Sequence, residues 1–134
     1  MKVLEKVKHV FLIDDDEDDR LFFVEAMQEL NASVHCSLAE NGKKALQKLK
    51  EMTELPDIIF MDINMPELNG FECLKELKKC TVLQKIPVIM LSTSLSQQDI
   101  NYSVELGAQM FFTKPSSYTK LCELLKQIFF SANS

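Results

Sequence analysis

The chain lacks three patterns that would place it in a membrane, in a secretory pathway or on nucleic acid. No apolar run approaches the roughly 20 residues that a membrane span needs. The first apolar stretch is short and ends in acidic residues, which is not the pattern of a signal peptide. The net charge is -5 and no basic stripe is present, which argues against nonspecific nucleic-acid binding. We therefore expect a cytoplasmic protein that contacts neither membrane nor nucleic acid.

Cysteine and histidine are sparse and poorly spaced for metal binding. No Cys-x-x-Cys pair occurs, so neither a zinc site nor a disulfide framework is indicated. We expect free thiols in a reducing compartment. The two histidines are far apart in sequence and are expected to be ordinary strand residues. The residues concerned are Cys36, Cys73, Cys80, Cys122, His9 and His35.

The length and composition indicate one globular domain. The chain has 134 residues, of which 46% are hydrophobic, enough to bury a substantial core. No linker, repeat or second composition is visible. We expect a single domain over residues 1–134, with a core of about 7–131, no output domain, and a monomer or weak dimer.

Acidic residues follow two apolar runs. The run 10–13 stops at six consecutive acids, 14–19, and the run 58–61 stops at Asp62. Both runs are typical of buried parallel strands. Like charges about 4 Å apart repel by roughly 4 kcal/mol at an effective dielectric of 20, so a chain that gathers them is expected to use them for a hard cation such as Mg²⁺.

Strand and helix patterns alternate five times along the chain, which predicts a parallel, doubly wound α/β sheet with right-handed crossovers. Five strands fit the flavodoxin-like order 2-1-3-4-5, in which strands one and three are neighbours and ligands bind at the carboxyl ends. The predicted strands are about 8–14, 33–38, 57–62, 88–92 and 109–113. The predicted helices are about 18–31, a segment through 45–52, about 70–80, one with Ser96 as its N-cap that ends near Leu106, and one that Ser117 would cap.

The six acids after strand one do not share one role. Acids stabilise the positive N-terminus of a helix, so Glu17, Asp18 and Asp19 are interpreted as first-turn helix acids. Asp14 and Asp15 are close enough to the strand end to meet Asp62. Asp16 has no assigned role.

The carboxyl ends of the predicted strands form one edge of the sheet, called the rim below. This rim carries the groups that phosphoryl transfer needs. Asp14 and Asp15 are candidate Mg²⁺ ligands, and Asp62 is the candidate nucleophile, since a carboxylate can form an aspartyl phosphate. Lys114, after strand five, would neutralise charge on the transferring oxygens, and the Ser92 hydroxyl would hydrogen-bond the bound group. A sheet that needed only stability would not require a lysine and several acids on one rim.

These residues carry a family resemblance that covers nearly the whole chain. The chain resembles the receiver domain of two-component response regulators, the CheY-like proteins. The motifs that carry the resemblance are Leu12-Ile13-Asp14-Asp15, the stretch 61–72 (MDINMPELNGFE), the stretch 87–93 (PVIMLST) and Phe112-Thr113-Lys114-Pro115.

The resemblance implies that Asp62 is phosphorylated by a histidine kinase or a histidine phosphotransfer protein. It implies that Asp14 and Asp15 form the metal-binding pair for Mg²⁺, with Mn²⁺ as a substitute, and that the metal also contacts Asp62 and the backbone carbonyl of Asn64. It implies that Lys114 contacts the phosphoryl group, before a Lys114–Pro115 peptide that is often cis in this family.

The resemblance also implies a conformational switch. Ser92 matches the switch hydroxyl, and Phe111 stands at the switch aromatic position, where Tyr is common. Phosphorylation would shift the face of helix four, strand five and helix five for binding an unidentified partner or for phosphorelay. Phe111 lacks a hydroxyl, so a purely structural role in the core stays open for it.

Other readings of the fold are less favoured. A phosphorylation-independent interaction module would not need the full set of acids and lysine. A phosphatase of the haloacid dehalogenase type needs a second Asp two residues after the nucleophile, where this chain has Asn64. A flavin carrier needs a polar, uncharged phosphate loop after strand one. We expect no enzyme activity beyond self-phosphorylation and self-dephosphorylation.

Overall fold

The computed structural model describes residues 6–94 and 96–130, and these form an α/β domain. The upper limit of the predicted core, residue 131, lies outside the described residues. The strands are β1 His9–Ile13, β2 His35–Ala39, β3 Ile58–Asp62, β4 Val88–Ser92 and β5 Met110–Thr113. The helices are α1 Glu17–Leu30, α2 Gly42–Glu51, α3 Gly70–Lys78, α4 Gln97–Glu105 and α5 Tyr118–Phe130.

The strands form one parallel sheet in the order β2-β1-β3-β4-β5, which confirms the predicted topology. The register pairs Val10 with Ile58 and Ile13 with Met61. Asp62 therefore ends β3 beside the point where β1 passes into Asp14. The order of the strands, with β1 and β3 adjacent, is what brings the two acidic segments together.

The sheet has an apolar core on each face, which explains why its central strands are continuously apolar. On one face, Phe11, Ile59 and Met61 pack with residues of α2 and α3. On the other face, alternate residues of the same strands pack with α1 and α5. The buried residues of these helices recur at spacings of three or four, as on the apolar face of an amphipathic helix; they include Phe23, Ala26, Met27, Ala45, Leu49, Leu74, Leu77, Leu125 and Ile128.

The helix ends follow sequence signals. The Ser96 side chain accepts a hydrogen bond from the Asp99 backbone, as predicted for an N-cap. Ser117 Oγ accepts from the Lys120 amide at 3.2 Å at the start of α5, again as predicted. Gly107 follows α4 with a φ of 96°, the left-handed conformation that favours glycine.

Several element boundaries differ from the predicted ones. β2 begins at His35 rather than Ser33, because the Asn31 side chain accepts hydrogen bonds from the Ser33 amide and hydroxyl and forms a turn there. α3 ends at Lys78 rather than Cys80, and an unpredicted 3₁₀ turn follows at Leu83–Lys85. No cis peptide occurs among the described residues, so the Lys114–Pro115 bond is trans.

The cysteines and histidines have ordinary surroundings. The four cysteines are free thiols. His9 and His35 are paired in register on β1 and β2, with ring centroids 4.8 Å apart, and both lie close to the Ser37 hydroxyl. Of the helices that the structure describes, none has both the length and the apolar composition to cross a bilayer.

Gly70 lets α3 start directly against the end of β3. Its amide donates to the Ile63 carbonyl at 2.9 Å. A Cβ at this position would lie 2.6 Å from the Asp62 carbonyl oxygen and 2.7 Å from Ile63 Cα. These are backbone atoms, which cannot rotate away as a side chain would. Glycine is therefore required here by close approach of the backbone.

We expect Gly70→Ala to lower the free energy of unfolding by about 1–3 kcal/mol, the usual cost of overpacking. Urea denaturation would measure it. Glu76→Ala is the matched control, since Glu76 lies on the same helix and makes only an exposed ion pair with Lys79. That control should change stability by less than about 0.5 kcal/mol. Equal stability of the two variants would contradict the close approach.

Candidate functional site

Three acidic side chains meet at the carboxyl end of the sheet. Asp14 directly follows β1 and Asp62 ends β3, and these two residues are 2% and 3% exposed. Asp15 is exposed beside them. One carboxylate oxygen from each of the three lies within 4.8 Å of the others. The structure thus brings together the three acids that the sequence analysis selected.

Asp14 is fixed by hydrogen bonds on all sides. Its amide donates to the Ala39 carbonyl at 3.0 Å, which extends the pairing of β1 with β2 by one residue. Its Oδ1 accepts from the Asp16 amide at 2.9 Å, and its carbonyl oxygen accepts from Arg20 Nη1 at 2.8 Å. The carboxylate is therefore oriented before any ligand arrives.

Lys114 places a cation at the centre of the acids. Its amide donates to the Ser92 carbonyl at 2.7 Å, so the lysine begins where β5 leaves β4. Its Nζ lies 2.9 Å from Asp14 Oδ2, 2.8 Å from Asp19 Oδ2 and 3.4 Å from Asp62 Oδ2. The lysine side chain is only 13% exposed. One ammonium therefore serves three carboxylates.

The electrostatics of the site leave a deficit of positive charge. Burial raises the pKa of Asp62 to about 7, Lys114 opposes that shift, and Asp14 adds to it. Burial also raises the pKa of Asp14. Burial alone would lower the pKa of Lys114, but hydrogen bonds to Asp19 and Asp14 raise it above its ordinary value. A lysine alone does not neutralise the acids, so a further cation is favoured.

The acid cluster suits a hard divalent cation. Mg²⁺ and Mn²⁺ prefer oxygen ligands, and carboxylates are their usual protein ligands. Asp14, Asp15 and Asp62 offer three such ligands in one place. The donor set therefore fits the metal that the resemblance implies. The role of the Asn64 carbonyl stays a prediction.

Ser92 and Asn64 complete the rim next to Asp62. Ser92 is 1% exposed, and its Oγ accepts from the Ser94 amide at 3.3 Å and, at 3.5 Å, from Asn64 Nδ2. The backbone amide of Asn64 donates a hydrogen bond to Asp62 Oδ1 at 3.3 Å. Phe111 lies on β5, paired in register with Met90, and is half-buried. Its switching role stays a prediction.

Two acids have contacts that sequence reasoning missed. Asp16, left unassigned, is the N-cap of α1: its Oδ1 accepts from the Asp19 amide at 3.0 Å. An Asp before a helical pattern is a recognised cap signal and was available in the sequence. Asp19 is in the first turn, as expected, but it also contacts Lys114, 95 residues away. No local pattern indicates that contact.

Comparison with known proteins identifies the family. The model of the response regulator receiver domain family matches residues 10–126 of this chain. The chain belongs to that family. The chemotaxis protein CheY of Thermotoga maritima is 32% identical to this receiver over 121 residues, covering 90% of this chain and 97% of CheY. The receiver is thus part of two-component signal transduction.

A further relative matches only in one part of its length. Protein-glutamate methylesterase/protein-glutamine glutaminase of Treponema denticola is 48% identical over 81 residues, or 58% of this receiver. The matched region is 20% of the methylesterase, so this chain spans about a fifth of that relative.

Solved structures agree with the fold. The phosphorylated cyanobacterial phytochrome response regulator RcpA superposes with a TM-score of 0.84 at 27% identity, covering 96% of this receiver and 97% of RcpA. The Mn²⁺-bound form of response regulator Rcp1 gives 0.82 at 25% identity, covering 95% and 96%. The flavodoxin-like architecture is thus shared with response regulators.

We expect Asp62→Asn to stabilise the metal-free protein. The folded pKa of about 7 exceeds the ordinary 3.8, so the stability contributed by protonated Asp62 is lost as pH rises through about 7. The amide cannot ionise. At about pH 8 the variant should exceed the parent by more than about 1 kcal/mol, with a smaller gap near pH 5. Urea denaturation in EDTA at both pH values measures the gap, and a less stable variant at the higher pH would refute this expectation.

Proposed function

We propose that this receiver accepts a phosphoryl group on Asp62 from a histidine kinase or a histidine phosphotransfer protein. The proposal rests above all on the contact of the Lys114 ammonium with both Asp14 and Asp62 at a nearly buried rim. Phosphoryl transfer needs a carboxylate nucleophile, a cation for the transferring oxygens and a metal site, and these residues supply all three.

Asp14 and Asp15 would hold Mg²⁺, or Mn²⁺ in its place, together with Asp62 and the Asn64 carbonyl. The bound metal would supply charge neutralisation for the phosphoryl oxygens. The rigid hydrogen bonding of Asp14 supports its part in this site, because a fixed carboxylate loses little freedom on binding. Asp15 is exposed and open to an entering ion.

In the proposed transfer, an oxygen of the Asp62 carboxylate attacks phosphorus and forms the new P–O bond. The bond from phosphorus to the donor nitrogen breaks, and its electron pair leaves with the imidazole. Lys114 donates hydrogen bonds to the oxygens that gain charge in the transition state. The receiver is then itself the phosphoacceptor. Its own activity would be limited to its self-phosphorylation and self-dephosphorylation.

Ser92 would couple phosphorylation of Asp62 to the face formed by α4, β5 and α5. Both contacts of its Oγ are made as acceptor, so its own hydrogen can be donated to a phosphoryl oxygen. Ser92 is paired in register with Thr113, and Met90 with Phe111, on β5. A shift of Ser92 would therefore be passed to β5, changing the face that binds a downstream protein or passes the phosphoryl group on.

The alternative, a receiver-like module that signals without phosphorylation, gains no support from the site. Such a module would not need a largely buried lysine in contact with two buried carboxylates. Burying like charges destabilises the folded state, and a module that only binds a partner does not require it.

We expect acetyl phosphate with Mg²⁺ to add one phosphoryl group to the parent protein and none to Asp62→Asn. Intact-mass spectrometry measures the addition. Asp57→Asn is the matched control, because Asp57 directly precedes the first residue of β3 and so lies at the other end of this strand from Asp62. Its carboxylate accepts hydrogen bonds from the backbone amides of Lys8 and His9. It should be labelled like the parent. Labelling of Asp62→Asn to the same extent would remove the acceptor assignment.

We also expect Mg²⁺ to raise the melting temperature of the metal-free protein by a few degrees, since a ligand that binds only the folded state stabilises it. Asp15→Asn should lose most of this rise. Asp18→Asn is the matched control, an exposed acid nearby that is outside the cluster, and should keep it. Differential scanning fluorimetry at about 10 mM MgCl₂, compared with NaCl of equal ionic strength, gives the answer. A rise of equal size in both variants would count against the site.

A further inference from the structure

The Lys114 ammonium is not centred on the phosphoacceptor. Its distances to Asp19 Oδ2 and Asp14 Oδ2 are 2.8 and 2.9 Å, in the range of strong charge-assisted hydrogen bonds. Its distance to Asp62 Oδ2 is 3.4 Å, which is longer than that range. The two shorter contacts therefore hold the ammonium back from the Asp62 oxygen.

Asp19 differs from the other two partners of this lysine. Asp14 and Asp62 belong to the acid cluster that suits a divalent cation, and Asp19 does not. Its backbone is fixed in the first turn of α1, where its amide donates to the Asp16 cap. Its carboxylate is 43% exposed, so it is a partly solvated anchor on the helix side of the lysine.

A lysine has three N–H donors, and here three carboxylates surround them. If Asp19 were absent, the ammonium would be free to close on Asp62 and form a tight pair with it. That pair would occupy the lone pairs with which Asp62 attacks phosphorus. With Asp19 present, the weakest of the three contacts is the one at the reacting carboxylate.

We propose that Asp19 is a positioning residue for phosphoryl transfer, which acts by holding the Lys114 ammonium away from Asp62. The attacking oxygen then stays available, and the third N–H of the lysine faces the arriving phosphoryl oxygens. This inference rests on the proposed function, because it concerns the rate at which Asp62 is phosphorylated.

The first test compares initial rates of labelling by acetyl phosphate and Mg²⁺ in Asp19→Ala and in the matched control Asp18→Ala. Both variants remove one acid from the same helical turn, so the general change of charge cancels in the comparison. Asp19→Ala should be at least about threefold slower than the control, because small misplacements of a reacting group lower rates sharply. Asp19→Asn should lie between them, since its amide oxygen can still accept from Nζ.

Two further measurements separate positioning through Lys114 from a structural role. In a Lys114→Ala background, Asp19→Ala should cause no further loss of rate. In the metal-free protein, the ¹⁵N resonance of Lys114 Nζ should shift in Asp19→Ala and stay unchanged in Asp18→Ala.

The outcomes distinguish this inference from the proposed function. An unlabelled parent protein would overturn both. A labelled parent with equal or faster labelling of Asp19→Ala than of Asp18→Ala would overturn the positioning role alone. So would a full additional loss of rate in the Lys114→Ala background, or an unchanged Lys114 resonance.

Discussion

The structure depends on one electrostatic constraint: nearly buried carboxylates at the end of a sheet, held with one lysine. Asp14 and Asp62 have lost most of their hydration, and Lys114 returns part of the lost stabilisation. Burial still raises the pKa values of both acids. The folded state thus carries an unfavourable charge distribution that a bound divalent cation would relieve. The apolar cores on both faces of the sheet supply the stability that makes this arrangement tolerable.

The order of the strands in the sheet brings separate sequence segments together at this site. Because β1 and β3 are adjacent and parallel, their acidic ends meet without a long loop. β4 and β5 follow on the same side and deliver Ser92 and Lys114 to the same rim. Backbone hydrogen bonds that continue past the strand ends, such as Lys114 to Ser92, fix where each side chain starts. The sheet therefore fixes where these side chains start, and contacts of the segment after β1 then orient the Asp14 carboxylate.

Much of this could be predicted from the sequence, because the relevant signals are local. Apolar runs of strand length, turn residues and caps such as Ser96 predicted the alternating strands and helices, and the strand order followed from the flavodoxin-like arrangement that this alternation fits. The acids and the lysine at strand ends gave the candidate site. The contact between Asp19 and Lys114 could not be predicted, since it depends on how the packing of α1 against α5 places the first turn of α1 beside the residue that follows β5. The turn at Asn31 and the trans peptide before Pro115 depend likewise on geometry that residue patterns do not determine.

The close approach at Gly70 ties the end of β3 tightly to α3. The backbone of Asp62 is in close contact with the first turn of α3, and that turn is held by the reciprocal hydrogen bonds of Asn69 and Glu72. α4 packs against the same helix, with the Phe71 and Tyr102 rings 4.9 Å apart and the Lys75 ammonium 5.5 Å from the centre of the Tyr102 ring. The backbone of Asp62 is therefore joined through α3 to α4 by direct contacts. A change in the position of Asp62 would be passed to α4 through these packed side chains.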